Sequence, residues 1–315
     1  MEKLDEKFEK INSLAITGHV HPDGDCAGSC LALYTYVKEN YPAVETDLFL
    51  EEPTNKLSFL KNFEKIDSSY EKEKAYDLMV CLDSASLGRI GKAQKYFESA
   101  SETINIDHHI SNTEFADENH VFPDSSSACE ALYGFLDPEK INRDMAVCLY
   151  TGIVYDTGVF KYSCTSPATM RLAADLMEYD IPAEYIIDES FYSKSFEENR
   201  IFGYAVLNST LCFGGKFIYS YISAEKMREY NVSSKEMEGI VSQLRLTRGV
   251  KAAAFFYELE AGVYKLSLRS KGEVDVNKMA SAFGGGGHSR AAGATLRGSL
   301  KEVTDALLNE AEKYI

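Results

Sequence analysis

Residues 16–29, ITGHVHPDGDCAGS, constrain this chain more than any other stretch: an apolar strand breaks into His19, Asp23 and Asp25 within seven positions and then starts a helix. Pro22 and Gly24 interrupt regular structure between the three side chains, so they converge from a loop at a strand's carboxyl end. Imidazole and carboxylate together suit manganese, zinc or iron, and the two closely spaced acids can each serve a different ion. The plainer alternative is an Asp/Gly/Pro turn with an incidental histidine. The rest of the chain decides between them.

The pattern recurs. The run 77–82 is apolar from Leu78 up to Asp83, and 103–106 ends on Asp107, His108 and His109. Such runs read as parallel strands buried on both faces. Between them fall helical periodicities, the first marked by Leu31, Leu33, Tyr34 and Val37, and a further strand over 44–50. Strands alternating with helices imply an α/β fold, a doubly wound, mainly parallel sheet whose functional groups gather at the carboxyl ends of the strands. Helices are also expected over 3–12, 57–63, 125–136, 144–155 and 170–177, with another from Pro182.

At 315 residues the chain is too long for one ordinary core. The boundaries read as a metal-binding domain over 1–188, a helical connector over 189–208, and a smaller α/β domain over 209–315. In the last, a hairpin is expected over 211–222, paired strands over 252–259 and 263–270, and helices over 236–246 and 306–314.

The net charge of −16 argues against gripping long nucleic acid, which requires many neutralised phosphates. Its distribution is uneven. From residue 209 onward 15 Lys and Arg face 12 Asp and Glu, against 18 and 37 before that point. A carboxylate metal site suits the acidic front, and contact with a few phosphates suits the rear. Seven cysteines without a CxxC pair fit reduced thiols in a core, Cys26 included. The charged N-terminus, MEKLDEKFEK, lacks an apolar segment behind it, and no run is long enough to cross a bilayer, so a cytoplasmic protein without a membrane partner is expected.

Asp83, after five apolar residues, is placed to bridge two cations, a helix cap being the other reading. Adjacent His108 and His109 point apart, so one can bind metal while the other faces a phosphate, with Asp107 fixing a tautomer. Asp156, in GIVYDTGVF, is equally readable as a cap. Four negative charges from Asp23, Asp25, Asp83 and Asp156 would balance two divalent ions, with His19 and His108 completing the coordination. A neutral site still needs a grip on an anion. The rear half offers Arg245, Arg248, Arg269, His288, Arg290 and the run Gly284 to Gly287, whose amides can approach an anion closely, although such a run also serves as a flexible turn.

The ordered series HVHPDGD, LDS, DHH and YDTG resembles the motifs of the DHH phosphoesterase superfamily, and LSLRSKGEVDVNKMASAFGGGGHSRAAG is similar to its associated C-terminal domain. The resemblance is nearest to the branch of nano-RNases and pAp phosphatases. It implies His19 and Asp23 on one metal, Asp25, His108 and Asp156 on the other, and Asp83 on both. His109 would face the scissile phosphate with Asp107 behind it, and His21 would be only a neighbour. Substrate contacts would come from Arg269, Ser270, Gly285, Gly286, Gly287, His288 and Arg290. The implied cofactors are two divalent ions, manganese foremost, and the implied active site is a cleft between the domains. Implied substrates are short RNA oligomers, dinucleotides and pAp, with no long duplex nucleic acid. A homodimer is compatible with this reading. The competing readings are a c-di-AMP or pApA phosphodiesterase, a pyrophosphatase, which GGGGH argues against, and a nucleotide-sensing module without turnover.

Overall fold

The structure, a computed structural model, describes residues 4–237 and 239–315, which group into two units, Met1–Ser193 and Lys194–Ile315. In the first unit the order is α1 (Asp5–Phe8), β1 (Ser13–Thr17), α2 (Gly24–Asn40), β2 (Glu45–Phe49), β3 (Ile66–Asp67), β4 (Leu78–Leu82) and α3 (Gln94–Ser99). Then come β5 (Glu102–Asp107), β6 (Glu118–Val121), α4 (Ala128–Tyr133), α5 (Arg143–Asp156), α6 (Pro167–Met177) and α7 (Ala183–Ile187). All six strands are parallel, in the order β3-β2-β1-β4-β5-β6.

Alternation along β4 shows why the run is apolar throughout. Leu78, Val80 and Leu82 join the larger core with α2 and α5, while Met79 and Cys81 face the opposite cluster around Phe49, Tyr76 and Tyr96. Strand order reverses between β1 and β4, and ligands of doubly wound sheets collect outside the carboxyl ends at such a point. These two strands run into His19 and Asp83.

The second unit contains α8 (Phe196–Leu207), β7 (Thr210–Cys212), β8 (Phe217–Ile222), α9 (Ala224–Glu229), α10 (Ile240–Arg245), β9 (Ala252–Glu260) and β10 (Val263–Ser270). It ends with α11 (Val276–Ser281), β11 (Gly286–His288), β12 (Ala291–Arg297) and α12 (Leu300–Ala311). Its sheet runs β11-β12-β10-β9-β8-β7, antiparallel except between β8 and β9. On β9, Ala252, Ala254 and Phe256 enter one core and Ala253 and Phe255 the other, so helices cover both faces.

Several expectations change. Residues 57–63 form no α-helix: short 3₁₀ turns occupy Asn55–Leu57 and Phe63–Lys65, and Asn62 adopts a left-handed φ of 65° while its amide donates to Thr35 Oγ1. The leading helix is only Asp5–Phe8, and residue 3 lies outside the described residues. The helix capped by Ser127 stops at Tyr133, where Gly134 N–H turns back to Ala131 O. Within 236–246 the α-helix covers Ile240–Arg245, and Glu238 lies outside the described residues. The final helix starts at Leu300 because Ser299 and Glu302 form a capping box, and it ends at Ala311. The stretch read as a connector divides at Ser193. Ile201 and Ala205 of α8 are buried with Ile218, Ile222 and Phe255, within the second unit. No helix among the described residues is long and apolar enough to cross a membrane.

Candidate metal centre

His19 follows β1 and is nearly buried. Its Nδ1 donates to Val20 O at 2.8 Å, a carbonyl that can only accept, so Nε2 is left for a ligand. Nε2 lies 3.2 Å from Asp83 Oδ2 and 3.8 Å from Asp23 Oδ1. Asp23 caps α2, its Oδ1 accepting from the Asp25 and Cys26 amides at 3.0 and 3.2 Å.

Asp25, the next acid, is fully buried. Its two oxygens accept the Ala128 and Cys129 amides of the first turn of α4, at 2.6 and 3.0 Å. A helix N-terminus favours negative charge, so α4 fixes the carboxylate and partly offsets its burial. From the end of β5, His108 points Nε2 toward Asp156 Oδ2 (3.3 Å), Asp83 Oδ1 (3.5 Å) and Asp25 Oδ2 (3.9 Å). Asp156, the last residue of α5, completes this group.

Asp83 joins the two groups. Its φ of 51° lies in the left-handed region, a strained backbone for a non-glycine residue, and its amide donates to Ile106 O at 3.1 Å. One oxygen, Oδ1, is buried without any hydrogen-bond partner. A buried carboxylate oxygen left unpaired is costly unless something positive completes it. The donor sets fit a cation. His19, Cys26 and Asp83 form one convergent group, Asp25, His108 and Asp156 a second, and Asp83, Asp107, His108 and His109 a third, each with ligand atoms within 4.8 Å. Cys26 is the exception in character: burial pushes its thiol well up, and Sγ donates to His19 O, so it packs the loop as a neutral group.

Electrostatics agree with the geometry. Burial, then Asp83, pushes the Asp25 carboxyl up, and burial, then Asp25 and Asp83, does the same to Asp156. Burial opposes a charged imidazole at His19, but Asp23 and Asp83 outweigh it and push its pKa up to about 12. His108 likewise rises against burial through Asp83 and Asp25, while the two histidines hold Asp83 below the usual carboxylate range in spite of its burial. Protons are thus retained where cations would neutralise the cluster.

His109 borders these ligands, its Nδ1 3.6 Å from Asp83 Oδ1. Its Nδ1 is 2.8 Å from Asp107 Oδ1, and Asp107 is fully buried. Asn112 donates to Asp107 Oδ2 at 2.6 Å and contacts Asn105 Oδ1 and Ser84 O. Sequence reading missed Asn105, Asn112 and the α4 amides: Asn105 reaches Cys81 O and Ser84 O, Asn112 reaches Ser84 O, and the α4 amides reach Asp25, all distant in the chain. His21 takes no part: its exposed ring faces Glu51.

In the second unit the expected substrate contacts divide. β11 is an exposed edge strand carrying Gly286, Gly287 and His288, and Ser289 and Arg290 follow it exposed. A Cβ at Gly285 would fall 2.7 Å from Ala294 Cα, so close packing on β12 requires that glycine. Arg269 is half-buried on β10 and donates to Leu268 O. Ser270 is buried, its hydroxyl donating to Val274 O and Ser289 O, so it ties the β10 end to the loop before β12 and offers no free hydroxyl. Arg248 is exposed, and Arg245 has a buried Nε without a hydrogen-bond partner.

Residues 13–153 match the DHH family N-terminal domain, and residues 214–315 match the DHHA1 domain. A bifunctional oligoribonuclease and PAP phosphatase, NrnA of Thermus thermophilus, is 31% identical over 288 residues, covering 90% of this chain and 84% of that one. Among solved structures, an exopolyphosphatase-related protein from Bacteroides fragilis matches with a TM-score of 0.85 at 24% identity, over 99% of this chain and 95% of its own. The exonuclease RecJ bound to manganese matches at 0.54 and 12% identity, over 99% of this chain and 92% of its own. These two share the fold expected from the alternating strands and helices. Both domain matches fall on the units that carry the corresponding motifs, and the Thermus relative spans most of both chains: this protein belongs to the DHH family, with a DHHA1 domain at its rear.

Proposed function

We propose that the chain is a two-metal phosphoesterase that hydrolyses short oligoribonucleotides to mononucleotides, and 3'-phosphoadenosine 5'-phosphate (pAp) to AMP and phosphate. One observation carries the chemistry: buried Asp83 lies between two histidine-carboxylate groups, with Oδ2 toward His19 and Oδ1, which accepts no hydrogen bond, toward His108. The choice of substrates is supported by the 31% identical Thermus relative, named for these two activities.

In this reading His19 and Asp23 would hold one ion and Asp25, His108 and Asp156 the other, with Asp83 available to both. Divalent ions at these ligands would supply a lowered pKa for bound water and positive charge opposite the phosphorus. The mixed nitrogen and oxygen donors suit manganese, the ion named with the RecJ neighbour. Asp107 fixes the Nδ1–H tautomer of His109 and leaves its other nitrogen for the phosphoester. In the second unit, Arg269, Arg290, His288 and the amides around Gly285, Gly286 and Gly287 are the candidates to hold substrate phosphates, while Ser270 supports their loop. The protein is assigned to the cytoplasm, where short RNA arises.

The test is a product assay with and without manganese across pAp, pApA, c-di-AMP and RNA oligomers from two to about twenty nucleotides. Mononucleotides from the shortest RNAs, AMP from pAp, and loss of both on chelation are expected. Turnover of c-di-AMP alone would move the assignment to cyclic-dinucleotide signalling, and binding without product would make the protein a sensor.

A further inference from the structure

The first unit has a cavity of about 380 Å³ beside the metal cluster, with Asp83 and His109 in its wall. Ser86, Arg89, Ser111 and Thr113 also line it. This volume falls within the roughly 300–1,000 Å³ of small-ligand sites, so there is room for more than the group undergoing reaction. Arg89 is exposed, and its guanidinium makes no hydrogen bond or ion pair with the described residues, although Asp83 shares the cavity. The backbone around it is well anchored. Arg89 O accepts from Val20 N at 2.7 Å, tying the segment to the His19 loop, and Arg89 N donates to Ser86 O at 2.9 Å. Across the cavity Thr113 N donates to Ala85 O at 2.9 Å, and Asn112 donates to Ser84 O at 3.2 Å. Gly91 closes the segment with a φ of 54°, and a Cβ there would lie 2.5 Å from Val20 Cγ1.

An unpaired guanidinium and the hydroxyls of Ser86 and Ser111 around a pre-formed cavity suit a phosphate, which Arg can engage through two parallel hydrogen bonds, while the Thr113 hydroxyl donates to Ala85 O. Resting on the reading that the substrate is a phosphorylated nucleotide, we propose that Arg89, with Ser86 and Ser111, grips a second phosphate on the nucleotide that carries the scissile bond. The first unit then selects nucleoside bisphosphates and 5'-phosphorylated dinucleotides over dinucleotides lacking that group. This contact is additional to those of the DHHA1 domain.

The experiment compares wild type, Arg89→Ala and Arg89→Lys on pApA and on ApA, which lacks the 5'-phosphate. A lost charge-assisted contact should raise KM for pApA by roughly ten- to a hundredfold in Arg89→Ala. kcat for pApA and both constants for ApA should stay near wild type, and Arg89→Lys should recover only part of the loss because it lacks the planar fork. An equal loss on both dinucleotides, or none on either, overturns the proposal. Calorimetric titration of wild type and Arg89→Ala with pAp gives a readout independent of turnover. Weaker binding by the variant supports the grip, and equal affinity, including no binding by either protein, overturns it. A wild type that binds pAp but hydrolyses neither dinucleotide would instead sink the assigned reaction and leave the grip to be judged by the titration.

Discussion

Asp107 accepts the Nδ1 hydrogen of His109 at 2.8 Å on one oxygen and the Asn112 amide at 2.6 Å on the other. The acid therefore sets both the tautomer and the orientation of the ring beside the metal ligands. Its hydrogen bond is the main cause, against burial, of the raised His109 pKa. Asp107→Asn removes the negative charge but keeps the shape. Activity should fall about 10- to 100-fold, as when a partner behind a functional histidine is lost. If protonated His109 assists the leaving oxygen, the alkaline limb of kcat should also move to lower pH, because the charged ring loses its counterion. An unchanged limb in a kcat–pH profile would remove this role.

Metal binding should release protons. Asp25 and Asp156 have raised pKa values in the metal-free cluster, as do His19 and His108, and each must lose its proton to act as a ligand. Raising the pH removes that competition, so affinity for manganese should increase from about pH 6 to 8. Titration calorimetry in buffers of different ionisation enthalpy measures the protons released, and a buffer-independent enthalpy would contradict the expectation.

Gly152 lets α5 approach α2 at the Asp25 carboxylate. A Cβ at this position would fall 2.6 Å from Asp25 Oδ1 and 3.1 Å from Asp25 Cα. Gly152→Ala should displace the buried ligand, cost about 1–3 kcal/mol in stability through overpacking, and weaken manganese binding more than tenfold. Denaturant unfolding and metal titration check the two effects separately; normal metal affinity would show that the helices absorb the methyl without moving Asp25.

Acid stability depends on a second carboxylate far from the cluster. Asp5 accepts from Lys140 Nζ at 2.6 Å, from Tyr36 Oη at 2.9 Å, and from Tyr41, linking α1 to α2 and to the turn before α5. Burial raises its pKa, but Lys140, Tyr41 and Tyr36 outweigh that effect and hold it below the usual value of 3.8. A depressed carboxylate stabilises the fold fully above its unfolded pKa and loses that contribution as pH falls through the folded one. Asp5→Asn should thus cost about 1–3 kcal/mol at neutral pH, with the gap to wild type narrowing below about pH 4. Parallel denaturant titrations at the two pH values test this, and a constant gap would assign the loss to packing.

The sheet and most of the cluster were legible because their signals are local. Apolar runs end directly on Asp83 and Asp107, and Pro22 and Gly24 break the chain between His19 and Asp25. Signals that depend on distant partners were not legible. Nothing near Asn112 shows that it reaches Ser84 O, 28 residues away, or near Asp25 that α4 meets it 103 residues later. The short β3 and β6 lack apolar runs of their own and are strands through their pairing with β2 and β5. Ser270 shows the converse: the family resemblance implied a substrate contact there, while the fold uses the hydroxyl to hold the 274 and 289 carbonyls.

Substrate length gives the sharpest test of the proposed function. The net charge of −16 repels a polyanion, and repulsion grows with every phosphate that the site does not hold. The cations able to compensate are few: Arg269 and Arg290 with His288 near β11, and Arg89 beside the metal cluster. They can serve about two to four phosphates, and the sequence shows no basic stretch with interleaved aromatics to continue a single-strand track. Cleavage should be most efficient on pAp and on oligomers of two to about five nucleotides, then decline with length. Salt should narrow the gap by screening exposed charge, although it also weakens the phosphate contacts that every substrate makes. kcat/KM for an RNA of two nucleotides and one of about twenty, each at two salt concentrations, separates these effects. Equal values, or faster cleavage of the longer RNA, would indicate a processive exonuclease and sink the short-substrate assignment.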